Sequence, residues 1–138
     1  MRNFLAMVLA LGVLASPAHA KDQPGLVIQN GESWAFRVDG GQPVGARKVG
    51  PDDKPAPGEL LVRLTPEMGT SMFVYNNTSK FLNYRAQIMR KPGDRAERTS
   101  VCTLLNNGRF VYEGWPYAIA AIYLSDFTEA PDNSMVCK

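Results

Sequence analysis

Histidine, cysteine and carboxylate side chains are where chemistry in this sequence would have to start, and the supply is narrow. His19 is the single histidine of the 138 residues, and it lies in a segment read below as a cleaved leader. Without it the chain has no imidazole for a Ser-His-Asp or Cys-His nucleophile system, and none for the usual zinc and copper sites. Glu113, Asp126 and Glu129 are the carboxylates close enough in sequence to suggest a glycosidase pair. With 13 acids in the chain, solvated surface carboxylates are the plainer reading. Ser79-Lys80 does not make a dyad, because neighbours on a strand point to opposite faces. Asp39-Gly40-Gly41 lacks the lysine and the strand-to-helix context of a phosphate loop. Met68 and Met72 offer thioether sulfur, yet with no third ligand nearby they read as core filling. Asn76 and Asn77, each opening an Asn-x-Ser/Thr triplet, read as turn residues. No cofactor site and no metal site emerge, and the expectation is a protein that is not an enzyme.

Cys102 and Cys137 are the two cysteines. In an exported chain an even pair reads as a disulfide, here one that ties the last residues to the body of the fold. Their wide separation is unlike the Cys-x-x-Cys spacing of redox or metal sites.

Export is expected from residues 1–20. Arg2 precedes an apolar run from Phe4 to Ala15, Ser16-Pro17 breaks it, and Ala18-His19-Ala20 is the small-x-small pattern of a signal-peptidase site. The run is too short for a bilayer span, which needs roughly 20 apolar residues, and no cysteine lies near the cleavage site to carry a lipid anchor. Residues 21–138 then make one domain in the periplasm or outside the cell. Removing Arg2 from the 15 basic residues leaves 14 against 13 acids, a net charge of +1 that gives nucleic acid nothing to recognise.

The elements that must position these residues read as short strands. Trp34–Val38 alternates large apolar with small or polar residues and runs into the Asp39-Gly40-Gly41 turn. Gly50–Gly58, rich in Pro, Gly and Asp, reads as an exposed loop. Leu60–Leu64, Ser71–Asn76 and Phe81–Arg90 follow as strands, the last with Leu82, Tyr84, Ala86 and Ile88 on one face. Thr99–Leu105 carries Cys102, and Asn106-Asn107-Gly108 predicts a hairpin turn into Arg109–Tyr112. Tyr117–Phe127 is apolar enough for a buried helix or a central strand, and its Ile, Tyr and Leu content favours strand. About seven strands predict an all-β fold, an antiparallel β-sandwich of immunoglobulin-like architecture with one disulfide.

One grouping is suited to binding. Phe110, Tyr112, Trp115 and Tyr117 crowd around Glu113, Gly114 and Pro116. If exposed, Tyr112, Glu113, Trp115 and Tyr117 would form a platform for a sugar ring or a partner's side chain. The plainer alternative makes Trp115 a plug at the end of the core. Tyr84-Arg85-Ala86, Val101-Cys102, Tyr112-Glu113-x-Trp115-Pro116-Tyr117 and Leu124-Ser125-Asp126 together resemble a pattern in small exported proteins of Gram-negative bacteria. That resemblance covers roughly the second half of the chain after the leader. It implies a fold, a periplasmic address and a paired Cys102, and it transfers no catalytic residue. The expected role is a binding module of the cell envelope whose partner is a protein or a peptidoglycan-type glycan, with no nucleic acid and no membrane span.

Overall fold

Alternation along each strand sends successive side chains to opposite faces, and two sheets result that bury one face each. The computed structural model describes residues 24–138, so the expected leader and His19 lie outside the described residues. Among the described residues nine strands form: β1 (Leu26–Gln29), β2 (Ser33–Asp39), β3 (Gln42–Val49), β4 (Leu60–Thr65), β5 (Thr70–Asn76), β6 (Leu82–Met89), β7 (Glu97–Thr99), β8 (Arg109–Trp115) and β9 (Ala121–Glu129). All pair antiparallel, in a four-stranded sheet of order β1-β9-β6-β7 and a five-stranded sheet of order β3-β2-β4-β5-β8. Phe36, Leu60, Val62, Leu64, Met72 and Val74 of the larger sheet share one core with Ile28, Ala86, Ile88, Ile122, Leu124 and Phe127 of the smaller. Phe36 meets Phe127 edge to face across the two layers, with ring centroids 5.6 Å apart.

The sandwich and the Cys102–Cys137 disulfide are present as expected. Immunoglobulin-like architecture is not confirmed. Nine strands replace the expected seven because β1 and β3 carried too weak a pattern. β1 is only four residues long. β3 contains Pro43 and Gly45 and is largely exposed, which an edge strand tolerates because it needs a ladder on one side only. Tyr117–Phe127 resolves as strand, beginning at Ala121 after a bend.

Two local expectations need correction. Thr99–Leu105 is not a continuous strand. Its ladder with β6 covers Glu97–Thr99 and resumes as a single bridge between Leu82 and Leu104. Between them the backbone turns to the C-terminal tail: the Val101 and Thr103 amides donate to the carbonyls of Lys138 and Val136, both at 2.9 Å. Asn107 and Gly108 do adopt the positive φ of a tight turn, at 58° and 79°, but the turn does not close a hairpin. Its amides donate to the Thr78 and Asn76 carbonyls at 2.8 Å, on the β5–β6 connection. The chain thereby crosses between sheets, and β8 pairs with β5.

The tail is thus held by the disulfide and by a short ladder. Cys102→Ser should lower stability by about 2–5 kcal/mol and release residues 134–138 to rapid amide exchange. Chemical denaturation with hydrogen-exchange mass spectrometry would check both.

Candidate functional site

The register of β8 divides the aromatic segment between two faces. Val111, Glu113 and Trp115 point inward, whereas Phe110 and Tyr112 point to solvent at 51% and 48% exposure. Trp115 is buried in the core and donates its indole N–H to the Thr99 hydroxyl at 2.9 Å, the arrangement of a plug. Tyr117, half-buried beyond the strand, packs against the core with the Arg90 guanidinium 3.6 Å from its ring centre. Gly69 holds this bend close: at φ 89° it approaches the backbone of Trp115–Tyr117, and a Cβ there would collide with the Trp115 carbonyl oxygen. The Thr70 hydroxyl adds a clamp, donating to the Tyr117 carbonyl and accepting from the Ile119 amide, both at 3.0 Å. Tyr112, Glu113, Trp115 and Tyr117 therefore do not share one platform.

What Tyr112 and Phe110 do share is the outer face of β5. The ladder sets Phe73 opposite Tyr112 and Tyr75 opposite Phe110. Ring centroids lie 5.3 Å apart for Phe73 and Tyr112, 5.9 Å for Phe73 and Phe110, and 5.4 Å for Tyr75 and Phe110. Gly114 leaves the space that the tip of the Tyr112 ring occupies, and the Tyr112 hydroxyl bonds the Ser71 hydroxyl at 3.1 Å. Sequence reading did not single out Phe73 and Tyr75. Their alternation with Met72 and Val74 was visible, but which row faced outward was not.

The rest of this outer face is covered. The Gly50–Gly58 loop is tied across it: Arg63 donates to the Asp53 carbonyl at 3.1 Å, Asn77 to Pro55 at 3.1 Å, and Arg37 to Pro57 at 3.3 Å. Ala35 and Leu61, at outward positions of β2 and β4, are accordingly fully buried. Glu59 anchors the loop, accepting from the Ala56 amide at 2.9 Å and pairing through both oxygens with Arg47. The Arg47 guanidinium brings the Glu59 carboxyl down to about 2. Lys54 and Arg63 both approach the Tyr75 ring, 5.5 and 5.7 Å from its centre.

The carboxylates do not converge. Glu113 is half-buried inside the sandwich and accepts the Cys102 amide at 2.7 Å. Burial pushes its pKa up, against the pull of that bond. Beside it the Tyr84 hydroxyl is buried without a partner among the described residues, and burial followed by the Glu113 charge raises its pKa well above the usual value. Asp126 and Glu129 belong to β9 in the other sheet and face Arg85 and Lys80 respectively. Met68 is exposed while Met72 is fully buried, so the two sulfurs do not form a site. Asn76, also fully buried, donates to the Lys80 carbonyl at 2.7 Å and serves the β5–β6 turn. Among the described residues no three His, Cys, Asp or Glu side chains are grouped as a metal site. No protein family, curated protein or solved structure matches the chain.

Two acids should respond to pH in opposite directions. Glu113 holds its proton more tightly in the folded protein, so its ionisation costs stability above the raised pKa, and the cost is relieved as pH falls towards 4.5. Glu113→Gln should therefore be more stable than the parent at neutral pH and equal to it near pH 4. Glu59 contributes stability above 4.5 that is lost as pH falls towards 2. Glu59→Gln should be less stable at neutral pH, with the gap closing over that window. Urea titrations across the pH range measure both. Trp115→Ala, by contrast, should cost about 3–5 kcal/mol at any pH.

Proposed function

We propose that this chain is a non-enzymatic interaction module of the cell envelope, periplasmic or secreted, that binds a protein partner on the outer face of β5 and β8. The observation that carries this reading is the outward aromatic cluster of Phe73, Tyr75, Phe110 and Tyr112, with Phe110 and Tyr112 about half exposed. Aromatic side chains present large, rigid area and are enriched at interfaces. The opposite half of the same sheet face is roofed by a loop, so exposure is confined to one strip.

The setting agrees with this reading. A disulfide suits an oxidising compartment, and among the described residues no helix is long and apolar enough to cross a membrane. Glycan recognition is the second reading, since tyrosines stack on sugars. The rings here are tilted to one another by 43° to 59°, which gives crevices between rings instead of a flat floor for pyranose units. Tilted rings favour a partner's side chains. A glycosidase would need two carboxylates facing one cleft, whereas Glu113 on β8 accepts the Cys102 amide and, on β9 of the other sheet, Asp126 pairs with Arg85 and Glu129 with Lys80.

A photo-reactive residue at Phe110, with a control at outward-facing Val27 on the other sheet, tests the reading in producing cells. A discrete protein adduct from Phe110 alone is expected. Adducts at neither position, or equally at both, would overturn it. A change in tyrosine fluorescence with peptidoglycan fragments, without a protein adduct, would transfer the role to glycan binding.

A further inference from the structure

Two cations meet on the loop side of the aromatic strip, while the neighbouring Asp53 carboxylate turns to the Gly50 amide at 2.6 Å. Lys54 and Arg63 converge on the single ring of Tyr75. Arg63 donates to neutral acceptors, the Ser33 hydroxyl at 3.3 Å and the Asp53 carbonyl at 3.1 Å. Neither cation has a carboxylate within ion-pair distance among the described residues, whereas Arg47, Lys48, Lys80 and Arg85 each do. Two like charges gathered on one ring with no carboxylate in direct contact repel each other, and an anion placed between them and the strip would relieve that repulsion.

Width and edge restrict what can sit there. The open strip is two strands across, about 10 Å, bounded by the loop on one side and the sheet edge on the other. That width matches one extended segment of chain. Strand addition at β8 is opposed by the inward carboxylate of Glu113 and by Pro116 just past its end, both devices that protect a sheet edge. The segment must lie on the face.

Resting on the protein-binding reading above, we propose that the partner supplies a short acidic segment, its carboxylates against Lys54 and Arg63 and its aliphatic side chains between the rings of Phe73, Phe110 and Tyr112. Anisotropy of a labelled peptide of alternating Glu and Leu, with a Lys-Leu peptide as counterpart, tests this on the purified oxidised protein. The Glu-Leu peptide should bind about tenfold more tightly than the Lys-Leu peptide. Lys54→Glu, on an exposed loop where it makes no hydrogen bond, should weaken Glu-Leu binding about tenfold, and Lys54→Glu with Arg63→Glu further still. Lys91→Glu, in the β6–β7 turn, changes net charge equally and should leave binding unaltered. Absence of Glu-Leu binding, equal binding of both peptides, or equal effects of Lys54→Glu and Lys91→Glu would overturn the proposal. Phe110→Ala separates the two levels. Binding lost on Phe110→Ala but unchanged in Lys54→Glu keeps the protein-binding face and rejects its acidic partner.

Discussion

The ladder between β5 and β8 fixes which side chains are core and which are surface. With Phe73 opposite Tyr112 and Tyr75 opposite Phe110, the intervening residues Val74 and Val111 fall inward together. A slip of one residue would exchange the rows, driving Phe110 and Tyr112 between the sheets and turning Trp115 out. Contacts at both ends prevent it. At one end Gly69 fits against the Trp115–Tyr117 backbone and Thr70 clamps the bend. At the other, the Asn107-Gly108 turn is bonded to the β5–β6 connection, which Asn76 braces from within. The aromatic strip is consequently a rigid feature of the sheet and not a property of a loop.

A second constraint is polar. The smaller sheet ends at β7 and the larger at β8, and the segment joining them must carry its backbone groups past a hydrophobic interior. The tail supplies partners for Val101 and Thr103, and Glu113 supplies one for Cys102. A carboxylate inside a sandwich is costly, but this one satisfies an amide that would otherwise be orphaned and discourages pairing at the edge. The disulfide holds the tail that completes the set.

Much of this was legible. Period-two alternation located β2 and β6, turn signals set off β4 and β5, and β-rich composition favoured strand over helix for β9. Cysteine count with an expected export signal pointed to the bridge. β3 escaped notice because an edge strand can be stabilised by its ladder to β2 without an apolar row. Asn-Gly at 107–108 misled for a different reason: it encodes the turn, while the partner of the strand that follows is set by long-range pairing. The site shows the same division. Tyr112 was identified, and the same alternation rule could have separated it from Glu113 and Trp115. Phe73 and Tyr75 lie more than thirty residues earlier, and only cross-strand register brings them to Phe110 and Tyr112.

The pairing of β1 with β9 carries a kinetic consequence. Leu26 lies opposite Leu124, so a central strand of the smaller sheet acquires one of its two neighbours from residues about a hundred positions away. Sheets closed by such distant pairings fold slowly, on the millisecond-to-second scale. During that interval Ile122 and Leu124 belong to a strand with an open side, the state most prone to pair with another copy. Crowding of newly made chains would then favour association through that open strand.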